Sequence, residues 1–140
     1  MEKSKLACEL CTLFDKKITT YYRQTFKGLV GQSQLEVLNY LHLNKKATAK
    51  EISCDLNITK QHISKILIKF EEDNLVECKI NDEDKRAKIY SLTNEGLKLM
   101  KLHINESNAY FDELINKLSP EEQEEFINSM KSMLKILKKF

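Results

Sequence analysis

At 140 residues, 41% of them apolar and 31% charged, the chain fits one ordinary domain with a modest core and a well-solvated surface. Three Gly and one Pro in the whole length argue for long helices with few tight turns and exclude a β-sandwich or barrel. No apolar run is long enough to span a membrane and the N-terminus has no signal-peptide core, so a cytoplasmic protein is expected. A net charge of +2 does not by itself announce a nucleic-acid partner; the distribution of charge has to decide.

In chain order, Leu6, Leu10, Leu13, Phe14 and Ile18 recur at three-and-four spacing, which predicts a first helix from about Leu6 to Phe26. Gly28 and Gly31 interrupt it. A second helix is expected from Gln34 to about Leu43, with Leu35, Leu38 and Leu41 inward, followed by a turn at Asn44-Lys45-Lys46. Three S/T-x-x-E boxes mark helix starts, at Ser33–Glu36, Thr48–Glu51 and Ser119–Glu122, because the hydroxyl and the carboxylate satisfy each other's backbone N–H groups. The second box opens a short helix, Ala49–Leu56. A fourth helix, about Lys60–Glu72, carries Ile63, Ile66, Leu67 and Phe70 on one face. The period then changes to two at Val76, Cys78 and Ile80, a strand. Asn81 to Arg86 is a polar tip, and Ile89–Leu92 a second strand. Thr93 caps a long helix reaching about Leu118, and Pro120 opens a last helix to about Lys139. Phe126, Met130, Met133, Leu137 and Phe140 make a heptad-like seam along it.

The four Cys stand at 8, 11, 54 and 78. One C-x-x-C without a second does not make a thiolate zinc site, and His103 lacks a second His one turn on, so no metal and no cofactor is expected. Nucleotide loops, clustered carboxylates and nucleophile–base arrangements are missing from the pattern, so an enzyme is not expected.

The segment Thr48–Phe70 reads as a helix-turn-helix: a capped short helix, a break at Asn57-Ile58-Thr59, and an amphipathic second helix. The outer face of that second helix is Lys60, Gln61, His62, Ser64, Lys65 and Lys69, without a carboxylate. Gln can read adenine bidentately, Lys or His can donate to guanine or phosphate, and Thr59 with the helix N-terminus suits a phosphate. The strand–tip–strand that follows is placed as a wing, carrying Lys85, Arg86 and Lys88. Arg86 is suited to a narrow minor groove, and Asp84 is placed to hold its guanidinium. Asp82-Glu83-Asp84 would repel phosphate unless turned away. Between Lys45 and Thr93 ten Lys and Arg stand against nine Asp and Glu, so affinity must come from local patches.

At this point the sequence resembles MarR-type regulators. Asp84-Lys85-Arg86, five further residues, then Leu92-Thr93-x-x-Gly96 is similar to the family's D-x-R…L-T-x-x-G signature. Phe70-Glu71-Glu72-Asp73-Asn74-Leu75-Val76-Glu77 resembles the family's helix end, with Asn74 where Gly is usual; Asn tolerates the left-handed cap. Thr48-Ala49-Lys50-Glu51-Ile52 and the Ser119-Pro120-Glu121-Glu122 start also match. Cys78 and Lys79 depart from a pair where many relatives carry arginines. The resemblance implies a mainly α (α+β) winged helix-turn-helix: a single domain 1–140, with 31–93 binding DNA and the helices of 1–30 and 94–140 forming a homodimer. It implies a repressor of double-stranded DNA sites, released by a small aromatic or phenolic effector between the dimer helices and the reading part. Tyr22, Phe26, Tyr40 and His42 are candidates to line that cleft. Glu9-Leu10-Cys11-Thr12-Leu13 resembles the first helix of the peroxide-sensing branch, which makes an oxidant-sensing repressor using Cys11 an alternative. Against it, the positions of that branch's thiol-bonding Tyr are Asp15 and Thr25 here. A winged helix acting as a protein-docking module is a more distant alternative.

Overall fold

The computed structural model describes residues 2–25, 31–84 and 86–140. The element order is α1 (Glu2–Thr25), α2 (Gln32–Asn44), β1 (Lys46–Thr48), α3 (Ala49–Leu56), α4 (Lys60–Glu72), β2 (Val76–Ile80), β3 (Lys88–Leu92), α5 (Asn94–Asn116) and α6 (Pro120–Leu137). It falls into two compact units, Met1–Lys101 and Leu102–Phe140, with α5 beginning in the first and ending in the second.

The first unit is organised by one apolar cluster. Val37, Leu38 and Leu41 of α2, Ile52 of α3, Ile63, Ile66, Leu67 and Phe70 of α4, and Ala47, Val76, Tyr90 and Met100 are all buried together. Each large aliphatic or aromatic side chain so removed from water contributes about 1.5–3 kcal/mol. The helix boundaries follow from caps. Thr48 Oγ1 accepts from the Glu51 N–H at 3.2 Å while Glu51 Oε2 accepts from the Thr48 N–H at 3.4 Å. The expected Ser33–Glu36 box does not form. α2 starts two residues earlier than expected, at Gln32, and is capped by Gly31, whose N–H donates to Gln34 Oε1 at 3.0 Å. Of the expected break after α1, Gly28 lies outside the described residues.

The expected turn at Asn44-Lys45-Lys46 is shorter than its sequence suggests. Lys45 alone makes it, with a positive φ of 71°, and Lys46 already opens β1. The strands form an antiparallel sheet in the order β1-β3-β2, with Ala47 and Cys78 flanking Tyr90. The hairpin is therefore anchored through β3, which pairs on both sides.

In the second unit, Ser119 caps α6. Its Oγ accepts from the Glu122 N–H at 3.2 Å, and Glu122 Oε2 accepts from the Ser119 N–H at 2.8 Å, with Pro120 in the first turn. No residue of α6 is buried: Phe126, Ile127, Leu134, Ile136, Leu137 and, just beyond the helix, Phe140 are all exposed. His103 is buried, and that burial holds its imidazole below its usual range, with Glu106 opposing in part.

Candidate nucleic-acid interface

The helix expected to read DNA is α4, and its rigidity is built from the turn before it. Asn57 adopts the left-handed conformation, φ 52°, that closes α3. Ser53 then grips Ile58 twice. Its carbonyl accepts from the Ile58 N–H at 3.2 Å, and its hydroxyl donates to the Ile58 carbonyl at 2.6 Å. Thr59 caps α4, accepting from the His62 N–H at 3.3 Å. With Ile63, Ile66, Leu67 and Phe70 fixed in the core, the opposite face has no freedom to roll.

On that face Lys60, Gln61, His62, Lys65 and Lys69 are accessible to solvent to differing degrees, as is Ser64. Lys69 is paired along the helix, Nζ to Asp73 Oδ2 at 3.5 Å, a solvent-exposed contact of small worth. The carboxylate-free face expected from the sequence holds only as far as Phe70: Glu71 and Glu72 are helical and exposed. One residue of this face was not among those expected. Ile68 is 57% exposed, although the other apolar residues of α4 are buried.

The end of α4 and the start of α5 are clasped. Asn74 is left-handed, φ 57°, and the Leu75 N–H returns to the Phe70 carbonyl at 2.8 Å, the expected Asn cap. Thr93 Oγ1 donates to the Asn74 carbonyl at 2.6 Å and accepts from the Gly96 N–H at 3.1 Å, while the Thr93 N–H donates to the Leu75 carbonyl at 3.0 Å. A Cβ on Gly96 would lie 2.2 Å from the Leu75 oxygen. The L-T-x-x-G run thus fixes both the exit of α4 and the root of the wing.

At the wing tip the structure corrects the role expected of Asp84. Its Oδ1 accepts from the backbone N–H of Arg86 at 3.0 Å, and its carbonyl accepts from the Ala87 N–H at 2.9 Å. Among the described residues the Arg86 guanidinium has no ion pair. Asp84 shapes the turn, as two-residue side-chain-to-backbone bonds do, and leaves the arginine head to solvent. Asn81 does the same for the Glu83 N–H at 3.1 Å. Arg86 and Lys88 are exposed; Lys85 lies outside the described residues. Asp82 and Glu83 remain exposed beside them.

A rigid helix pair followed by a two-stranded wing is a nucleic-acid-binding geometry, and residues 34–111 match the winged helix DNA-binding domain family. The chain belongs to that family. It is a winged-helix DNA-binding protein. It is 28% identical over 135 residues to the HTH-type transcriptional regulator PapX of Escherichia coli, covering 94% of this chain and 82% of PapX. Its fold is shared with a mutant of Escherichia coli MarR, at a TM-score of 0.80 and 19% identity over 92% of this chain and 96% of that one. It is also shared with a Staphylococcus aureus MepR mutant bound to an oligodeoxyribonucleotide, at a TM-score of 0.67 and 24% identity over 96% of this chain and 97% of that one.

In this winged-helix DNA-binding chain the remaining candidates are scattered. Tyr40 is half-buried, and its hydroxyl donates to Asp55 Oδ2 at 2.6 Å, tying α2 to α3. That bond, then burial, pushes its phenol up to about 12. His42 is half-buried with Nδ1 enclosed and without a hydrogen-bond partner among the described residues. Two residues apart on a helix, Tyr40 and His42 do not share a face. The Tyr22 side chain and Phe26 lie outside the described residues. Of the four cleft candidates the described side chains are Tyr40 and His42 alone, and these two do not come together. Cys11 and Cys8 are exposed free thiols on α1. No described helix is long and apolar enough to cross a membrane.

Proposed function

We propose that the chain is a homodimeric repressor that reads a pseudo-palindromic duplex site with two copies of α4 in successive major grooves, acts in the cytoplasm, and is released by a small aromatic or phenolic ligand. One observation carries it. α4 presents a solvent-facing, carboxylate-free row from Lys60 to Lys69 on a helix locked by the Ser53–Ile58 clamp and its own buried face. In this reading Gln61 addresses adenine, while Lys65, His62 and Ser64 address neighbouring base edges. Thr59, Lys60 and Lys69 meet phosphate, and the wing lays Lys85, Arg86 and Lys88 along the adjacent minor groove or backbone. Residues 31–93 form the reading part and 1–30 with 94–140 the dimerising part. Two uncovered apolar rows support the dimer: Leu6, Leu10, Leu13 and Phe14 of α1, and Phe126, Leu134, Leu137 and Phe140 at the C-terminal end. A chain that leaves so much apolar surface open to water needs a partner for it, and a second copy supplies both rows at once.

The experiment is a salt titration of binding to duplexes selected from a random pool. Log affinity falls linearly and steeply with log salt, because each neutralised phosphate releases counterions. A flat response, or no selected sequence, refutes the reading.

A further inference from the structure

The polar row of α4 contains one residue of the wrong chemistry for a solvated helix face. Gln61, Lys65, Ile68 and Glu72 are spaced four, three and four, so they share one stripe. Ile68 is 57% exposed in the middle of that stripe, and it is the sole exposed large apolar residue of α4 among those described. The core does not need it, since Ile63, Ile66, Leu67 and Phe70 are already buried. A β-branched residue on an exposed helix position also weakens the helix slightly relative to Lys, Gln or Ala. One isolated side chain makes no protein-docking patch. Its neighbours on the N-terminal side of the stripe, Gln61 and Lys65, are groups that address DNA, and Glu72 closes the stripe at its far end, so whatever covers Ile68 lies on the floor of the same major groove. That floor offers one apolar group, the C5 methyl of thymine.

We propose that Ile68 is a specificity-determining residue that packs on a thymine methyl, one per half-site. The inference rests on the reading of α4 as the base-reading helix. Ile68 stands seven residues beyond Gln61, about 10 Å along the axis at ~1.5 Å per residue. At ~3.4 Å per base pair the thymine lies about three base pairs from the adenine that Gln61 addresses.

The test uses the full chain and duplexes that the wild type itself selects from a random pool. Each thymine of the selected site is then replaced in turn by deoxyuridine, which removes the methyl and keeps the pairing. Affinities for wild type, Ile68→Ala and Ile68→Val are read by gel shift at one fixed salt concentration. At one thymine per half-site the replacement weakens wild-type binding about fourfold, the worth of one buried methyl, and about 15-fold when made in both half-sites. Ile68→Ala binds the thymine and deoxyuridine duplexes equally, and Ile68→Val restores most of the difference. Unaltered affinity of Ile68→Ala for random duplex at low salt shows that the variant is folded. If Ile68→Ala and wild type respond alike to every replacement, the inference is overturned while the DNA reading stands. If the wild type selects no sequence at all, the reading itself falls, and the inference with it.

Discussion

Gly96→Ala is the substitution whose cost the structure specifies most closely. Gly96 lies in the first turn of α5 against the α4–β2 turn. A methyl there would sit 2.2 Å from the Leu75 oxygen, 3.2 Å from the Leu75 carbonyl carbon and 3.3 Å from Leu92 Cδ2. Against an optimum of about 3.5 Å or more between heavy atoms, the first of these cannot be tolerated. The opposing atom is backbone, and it cannot move alone, because the Thr93 N–H holds it at 3.0 Å and Thr93 Oγ1 holds the adjoining Asn74 carbonyl at 2.6 Å. Overpacking against a rigid wall costs about 3 kcal/mol. Loosening one of these hydrogen bonds adds about 1 kcal/mol. The gain in helix propensity from Gly to Ala returns about 1 kcal/mol. The net loss is about 3 kcal/mol. Urea unfolding followed by far-UV circular dichroism at one protein concentration should show the midpoint lowered by about 1.5 M, for a slope near 2 kcal/mol/M. Gly31→Ala is the control: among the described residues its methyl would meet nothing nearer than Gln34 Oε1 at 4.0 Å, and it should cost under about 1 kcal/mol. A Gly96→Ala midpoint equal to or above wild type would show that the clasp is not the reason for the glycine.

At the interface, Arg86→Ala should weaken binding to the selected duplex by about 1–3 kcal/mol without changing the unfolding midpoint, because its guanidinium has no ion pair among the described residues; equal gel-shift affinity would remove the wing from the interface. Gln61→Ala should relax base preference at one position more than it lowers affinity for random DNA, and an equal loss on both would deny it a reading role. Deleting residues from Glu121 onward removes the exposed seam of α6 and should abolish the dimer in sedimentation; a dimeric truncated chain would place the interface elsewhere. Tyr40→Phe should cost about 0.5–1.5 kcal/mol at neutral pH. Because folding raises the Tyr40 phenol from its ordinary 10.0 to about 12, its stabilisation is complete below pH 10 and disappears between pH 10 and 12. A Tyr40→Phe protein that loses stability as steeply as wild type over that interval would contradict the Asp55 bond.

Local signals dominate where the sequence is legible. Thr48, Asn57, Thr59 and Ser119 are caps whose chemistry is decided within four residues, so α3, the turn and α4 can be placed from the chain alone. β1 cannot be: Lys46-Ala47-Thr48 is too short to show a period, and it becomes a strand only by pairing with Ser91, Tyr90 and Ile89. At the start of α2 the Ser33–Glu36 box gives way to a cap at Gly31, whose extended backbone, ψ 166°, opens the helix and whose N–H is held by Gln34 Oε1 without a capping side chain of its own. Val37 belongs to the core as well, four residues before Leu41 and on the same face, so the buried stripe of α2 is wider than the row Leu35, Leu38 and Leu41. Proximity in sequence points Asp84 at the Arg86 guanidinium, but the nearer donor is the backbone of the same residue. Ile68 does leave a signal. Ile66-Leu67-Ile68 is a run of three on a helix with one buried face, so one of them had to point away.

In the proposed reading, the acidic end of α4 sets the length of the word that one copy can read. From Lys60 to Phe70 the outer face bears no negative charge; from Glu71 it does, and carboxylates there would repel the phosphates of a bound duplex. The eleven positions from 60 to 70 span ~16 Å, or about five base pairs. A five-letter word recurs by chance roughly once per thousand base pairs, which is far too often to mark a single promoter among ~10⁶ competing positions. Two such words at fixed spacing recur about once in 10⁶. Selectivity of that order is out of reach for one copy of α4, however tightly it binds, and becomes attainable only when a second copy reads with it.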